Sequence, residues 1–264
     1  MIKGVSIKFK SYEQTIPTLL DITKLETQLQ KYDSIVLKPT LHTNAETSTP
    51  AAFTEAVLKF CLDHKKQGSQ VVIAEGADGE DTWDLFEQYG YTKLAEQYSI
   101  GLVDLNTAET QAMVNDNFLA FDTVHYPSLL LNSFVIVLPK LALHPEHDIA
   151  GALSSMLGAY PATKYSGWFS TKKSKLRQEP IKNAIHDSIC CKMPELAILD
   201  ASEKGVMLVG HPLEMDKQAA RLLKGDWKGV QHLRLIEDSI VPELLRKAQK
   251  EQKEKLLEQA EAQQ

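Results

Sequence analysis

The chain has 264 residues, with 29 lysines and arginines against 35 aspartates and glutamates, and a formal net charge of -6. Its 43% hydrophobic and 24% charged residues are those of an ordinary globular protein and exclude collagen-like, mucin-like and wholly disordered chains. No apolar run of about 18 residues is present to span a membrane, no apolar stretch of a secretory signal follows the N-terminal lysines, and net acidity argues against bulk nucleic-acid binding.

Val5, Ile7 and Phe9 alternate with polar neighbours, the pattern of a half-buried strand. Residues 16–32 carry Leu19, Leu20, Ile22, Leu25 and Leu29 at helical spacing. Residues 34–37 form a short apolar strand that stops at Lys38-Pro39. Ser48-Thr49-Pro50 opens a helix, with Thr49 as its cap and Phe53, Ala56, Val57 and Phe60 on one face. Residues 71–74 are the next buried strand, ending in a turn over 75–79, and a helix starts near Thr82. Residues 100–103 make a further strand with Asp104 at its end.

Residues 115–132 read as a hairpin or edge excursion. Residues 134–138, FVIVL, are the most apolar five-residue run and predict a central strand ending at Pro139-Lys140. Residues 151–160 predict a short helix flanked by glycines, and 161–180 a long polar and basic loop. Residues 196–199 are a late strand ending at Asp200, paired with 205–209, and a helix follows over 213–223 with Asp216 near its start. The strand–helix rhythm predicts an α/β fold, a mostly parallel sheet with helices on both faces. Residues 1–240 are read as one domain and 241–264 as a charged, solvated helical tail.

Ligands of open parallel sheets bind outside the carboxyl ends of the strands. Lys38, followed by Thr40 and His42, ends one predicted strand; Glu75, followed by Asp78, ends another. Lys140, followed by His144, His147 and Asp148, ends the central strand, and Asp200 the late one. The expected catalytic groups are Lys140, His144 and Glu75, and the expected substrate-binding groups are Lys38, Thr40, Asp78 and Asp200. Lys140, directly after an apolar run, is costly to desolvate unless a carboxylate or anion lies near. Taken singly, each residue also has a plain structural reading: Lys38 as a snorkelling lysine, Glu75 and Asp200 as turn formers, His144 as a loop histidine.

His144 and His147, with Asp148, His42 or Glu75, have the composition of a mixed nitrogen/oxygen metal site, yet HExxH and CxxC are both absent and no metal ligand is assigned. Residues 151–158 offer backbone amides to an anion, without the P-loop or GxGxxG pattern of nucleotide binding. Between Lys164 and Arg177 the chain carries Lys172, Lys173 and Lys175 without an acid, interleaved with Tyr165, Trp168 and Phe169. That is the recipe of a phosphate-rich partner, or of a mobile loop over the site. Cys61, Cys190 and Cys191 are too few for a disulfide framework and predict a reducing, cytoplasmic setting.

Together these segments resemble the family catalogued as domain of unknown function 362. The resemblance rests on IVLKPT at 35–40, TSTPAAFTEAVLKF at 47–60, VVIAEGADG at 71–79, YGYTKLAEQYSIGLVDL at 89–105, VIVLPKLALH at 135–144, GALSSMLGAYP at 151–161, PELAILDA at 194–201 and GHPLEMDKQAARLL at 210–223. It implies an α/β protein without a settled reaction. Some members carry cysteine-rich iron–sulfur segments, which are missing here. The family's Lys-Thr-His arrangement is altered to Lys140 and His144, and Ser154-Ser155 stands where Lys-Asn is usual. A fainter similarity, a histidine before a glycine-rich segment, links the chain to the nickel-dependent lactate racemases.

Two functions follow as expectations. One is a cytoplasmic α/β enzyme, or a degenerate relative of one, acting on a small anionic substrate at the strand ends. The other is a non-catalytic accessory or binding protein for redox or cofactor-handling partners. Neither names a cofactor, and a nucleic-acid partner is the least favoured.

Overall fold

Strands that are apolar on both faces must be covered on both, and that requirement organises the chain. The computed structural model describes residues 4–242; the expected helical tail lies almost wholly outside the described residues. In order, the elements are β1 (Val5–Lys8), α1 (Tyr12–Thr23), α2 (Leu25–Leu29), β2 (Ser34–Pro39), α3 (Ala51–His64), β3 (Gln70–Glu75), α4 (Thr82–Gln88), α5 (Tyr91–Tyr98) and β4 (Gly101–Asp104). Then come β5 (Thr110–Met113), β6 (Val124–Pro127), α6 (Ser128–Leu131), β7 (Phe134–Leu138), β8 (Ala142–His144) and β9 (Asp148–Ala150). A 3-10 helix (Ser154–Ala159), α7 (Ala162–Tyr165), a second 3-10 turn (Ser174–Arg177), α8 (Ile181–Cys191), β10 (Leu196–Ala201), β11 (Val206–Gly210) and α9 (Pro212–Lys224) follow, and residues 231–242 are helical.

The main sheet has the order β1-β11-β10-β7-β2-β3-β4. Its strands from β10 to β4 are parallel, and β11 runs antiparallel to both β10 and β1. Alternation sorts the side chains between two cores. Ile35 and Leu37 of β2, with Phe134, Ile136 and Leu138 of β7, face α1 through α5. Val36, Val135 and Val137 face α8, α9 and the helix over 231–242. Among the described residues no helix is long and apolar enough to cross a membrane.

Several local expectations are corrected. The helix expected over 16–32 breaks at Lys24, whose φ of 54° caps α1 and separates it from α2. Thr49 does not cap α3; its hydroxyl is used elsewhere, and Pro50 precedes the first turn. The loop expected over 161–180 contains α7 and the second 3-10 turn, because Tyr165, Lys173 and Leu176 are buried there. The hairpin reading of residues 115–132, by contrast, agrees with the fold: they supply β6, which pairs antiparallel with β5 apart from the main sheet.

The topology places a crevice. From β2 the chain moves toward β3 and β4; from β7 it moves the other way, toward β10. Adjacent β2 and β7 are therefore the point where connections diverge, and their carboxyl ends are where such sheets open a ligand cleft.

Candidate functional site

Thr49 sets the rim of that cleft. Its hydroxyl donates to the Leu138 carbonyl at 2.6 Å and accepts from the Thr40 amide at 2.9 Å, so the ends of β2 and β7 are tied through one buried side chain. Beyond the tie lies a cavity of ≈ 80 Å³. Five of the expected residues line it: Thr40, Glu75, Asp78, Lys140 and His144. His42, Glu146, His147 and Arg177 line it too.

The floor is a buried ion pair. Lys38 Nζ donates to Glu75 Oε2 at 2.7 Å and to the Ser155 carbonyl at 2.7 Å, and the two side chains are 0% and 3% exposed. Burial pushes the Glu75 carboxyl up, and the Lys38 ammonium beside it pulls the other way. Lys38 thus lies beneath the cleft rather than in its lining, and it does not snorkel. Gly158 makes room for the pair: a Cβ there would fall 2.5 Å from Glu75 Oε1 and 2.7 Å from Lys38 Nζ.

A second lysine reaches the floor from the basic segment. Lys173 is fully buried, and its Nζ donates to the carbonyls of Gly76 at 2.8 Å and Gly158 at 3.3 Å. Burial pulls its pKa down to about 7, with Glu75 and Asp78 opposing. The Lys173 amide also donates to Asp78 Oδ1 at 2.7 Å. Burial alone would raise Asp78, but that amide and Arg177 hold its carboxyl low. So the basic strip is divided in the fold: Lys173 is interior, Arg177 is ion-paired, and Trp168 and Phe169 remain exposed.

The cavity lining also carries stacked imidazoles. His144 and His147 lie 3.7 Å apart between ring centroids at an interplanar angle of 7°. His147 Nδ1 lies 2.8 Å from the Ile149 carbonyl, which can only accept, so Nδ1 carries the proton and Nε2 a lone pair. His144 Nδ1 instead accepts from the Glu146 amide at 3.2 Å, so a neutral ring carries its proton on Nε2. Burial lowers the pKa of both, that of His147 to about 4, and lowers that of His42 as well. At neutral pH the pair offers one N–H donor and one acceptor.

Lys140 Nζ lies 2.9 Å from Glu203 Oε1, with 16% of the lysine side chain and 69% of the glutamate exposed. The carboxylate needed beside this lysine is thus present, and it is a surface one. Thr40 Oγ1 is buried and has no hydrogen-bond partner among the described residues. Asp200 lies off the cleft: it accepts from Tyr12 Oη at 2.6 Å and from the Ser202 amide at 2.9 Å.

The amides expected to receive a ligand anion at 151–158 already hold an internal one. Asp216 of α9, fully buried, accepts from the Ala152 amide at 2.7 Å and the Leu153 amide at 2.9 Å. Burial raises its pKa to about 7 against those two bonds. The sequence signal was faint: an acid on the side of α9 shared by Met215 and Ala219, both buried. Among the described residues no three His, Cys, Asp or Glu side chains are placed to hold a metal ion.

A sequence model of the family described as "Domain of unknown function (DUF362)" matches residues 35–218. No curated protein matches the chain. Among solved structures, the lactate racemase apoprotein from Thermoanaerobacterium thermosaccharolyticum is similar, with a TM-score of 0.55 and 14% identity over 83% of this chain and 57% of that one. A Thermotoga maritima protein gives a TM-score of 0.52 and 11% identity over 83% of this chain and 60% of that one. The chain therefore spans less than two thirds of either structure, and at these identities the likeness is one of fold.

Proposed function

We propose that this chain, which belongs to the DUF362 family, is an enzyme that binds a small anion in the crevice between β2 and β7 and moves a proton on it. The observation that carries the reading is the convergence, around one cavity, of a hydroxyl without a partner among the described residues, a loosely held lysine and a donor–acceptor pair of neutral imidazoles.

In this reading Lys140 and the Thr40 hydroxyl hold the anion. Lys140 can exchange Glu203 for a ligand at little cost, because an ion pair with so exposed a partner is worth under about 1 kcal/mol. His147, neutral at neutral pH with the lone pair on Nε2, takes the ligand's proton there, becomes an imidazolium and returns the proton, while His144, whose own lone pair is held by the Glu146 amide, orients the ligand through a hydrogen bond from Nε2–H. The Lys38–Glu75 pair fixes the floor and its field, and Asp78 positions Lys173 and Arg177. That a similar fold carries the name lactate racemase supports including lactate among the trial ligands.

The test is a thermal-shift and calorimetric screen with lactate, glycolate, acetate and phosphate. A ligand at about 100 times its Kd adds roughly 2.7 kcal/mol of stability. Lys140→Ala and His144→Ala should each remove that gain. Failure of every small anion to bind, or binding undisturbed by Lys140→Ala, overturns the reading.

One observation favours the alternative of an accessory protein. Trp168 and Phe169 are 90% and 101% exposed at the tip of the segment beyond α7, where a contact surface for a partner would leave them. Pull-down with Trp168→Ser/Phe169→Ser as the comparison discriminates: a partner lost with these substitutions, in a protein that binds no small anion, selects the accessory role.

A further inference from the structure

Among the described residues the cleft lining contains one guanidinium, and its partners are unequal. Arg177 Nε lies 2.8 Å from Glu146 Oε1 and Nη2 lies 3.0 Å from Glu146 Oε2, a side-on, two-bond clasp of a carboxylate. Nη1 lies 2.8 Å from Asp78 Oδ2. Asp78 is anchored twice, because its other oxygen accepts from the Lys173 amide. Glu146 is not: among the described residues its carboxylate accepts from Arg177 alone, and its side chain is 39% exposed. Glu146 also sits in the turn between β8 and β9, directly between His144 and His147.

We infer that Arg177 is the carboxylate-recognition residue of this cleft and that Glu146 is its built-in occupant, displaced when a ligand carboxylate takes the fork. This rests on the reading of the crevice as a small-anion site and deepens it by naming the ligand group. Three features carry it. The guanidinium fork fits a planar carboxylate with two parallel bonds, and in this fold it already does so. The occupant is tethered at one point on a surface turn and can swing into water, where a carboxylate is well solvated. Asp78 stays on Nη1, so the fork remains aimed while Glu146 leaves. The arrangement also selects among anions. With Asp78 and Glu75 both lining the cleft, a second negative charge on the ligand meets like charge, so monocarboxylates are preferred over phosphate.

The test is calorimetric titration of the full chain with acetate, glycolate and inorganic phosphate. Glu146→Gln keeps the size of the side chain and removes its charge. It should bind the monocarboxylates about three- to fivefold more tightly, the fold-change that corresponds to releasing a partly exposed ion pair. Arg177→Lys, which cannot form the fork, should weaken them by about tenfold or more, and it should cancel the gain when combined with Glu146→Gln. Asp148→Asn is the charge control. Asp148 pairs with Lys224 outside the cleft lining, and its φ of 70° suits asparagine. It should leave affinity unchanged.

A wild-type protein that binds carboxylates through Lys140, with no tightening in Glu146→Gln, overturns this inference and leaves the small-anion reading standing. So does equal tightening in Asp148→Asn, or a gain that survives Arg177→Lys. Tightening for phosphate but not for carboxylates overturns the ligand class. Absence of binding in every variant removes the small-anion reading and this inference with it. Thermal melts of each variant establish that the fold is retained.

Discussion

Replacing Lys38 by methionine removes one member of the ion pair under the cleft and keeps nearly the same volume. With 0% and 3% of the side chains exposed and 2.7 Å between Nζ and Oε2, Glu75 is left as a buried charge without its nearest cation. Breaking a buried pair in this way costs about 3–5 kcal/mol. Lys173 still faces Glu75 and softens the loss, so the lower end, about 3 kcal/mol, is expected. For a chain of this size that lowers Tm by roughly 6–12 °C. The assay is urea denaturation followed by circular dichroism, with the m-value unchanged if only stability is altered.

The pH dependence of the Lys38→Met penalty has a definite sign. Glu75 is raised in the fold by burial, and loss of the lysine raises it further. A carboxyl with a raised folded pKa contributes stability that is fully present below its unfolded value, about 4.3, and is lost as pH rises through the folded value. The penalty should therefore be smaller at pH 5 than at pH 8. Lys38→Met/Glu75→Leu should recover most of the stability, since the orphaned charge is gone. A cost below about 1 kcal/mol at pH 7, a penalty independent of pH, or a double variant as unstable as the sum of the singles would refute the reasoning, because each contradicts a desolvated, mutually dependent pair.

Gly158→Ala should destabilise the fold and disturb the same pair, because the new Cβ lands on Glu75 Oε1 and Lys38 Nζ; a loss of about 1–3 kcal/mol by denaturation is expected, with no loss arguing that the floor is plastic. Asp216→Ala leaves the amides of Ala152 and Leu153 buried without acceptors and should cost about 2 kcal/mol, while Asp216→Asn, which retains an acceptor, should cost less. His147 and His232, with folded pKa values lowered to about 4 and about 3 by burial, should make the protein progressively less stable as pH falls below about 6.5, since the unfolded chain takes up protons first; His232→Gln should flatten that acid limb in melts taken between pH 7 and pH 4.

The alternating and runaway apolar segments were enough to place most of the strands of the main sheet, because a period of two and a buried run are local signals. The ends of β2, β3 and β7 were legible as the place to look for the same reason: a strand boundary shows where its polar residues begin. Less local features were not legible. The α8 helix, with its buried Ala184, Ile185 and Ile189, gave no cap or glycine to announce it. Thr49 reads as a helix cap from its neighbours, yet bonds the carbonyl of Leu138, 89 residues away.

The sequence by itself determined the class of fold, the parallel core and the group of polar residues at the strand ends, all of which depend on near neighbours. Which of those residues face the cleft, and in what state, was decided only by packing. Lys38 went into the floor and Asp200 to Tyr12, while Lys173, 98 residues beyond Glu75 in the chain, became part of the same charge network. Asp216 took amides that the sequence alone offers to a ligand. Charge, protonation and tautomer depend on distance and dielectric, which are set by which surfaces meet and not by the order of residues along the chain.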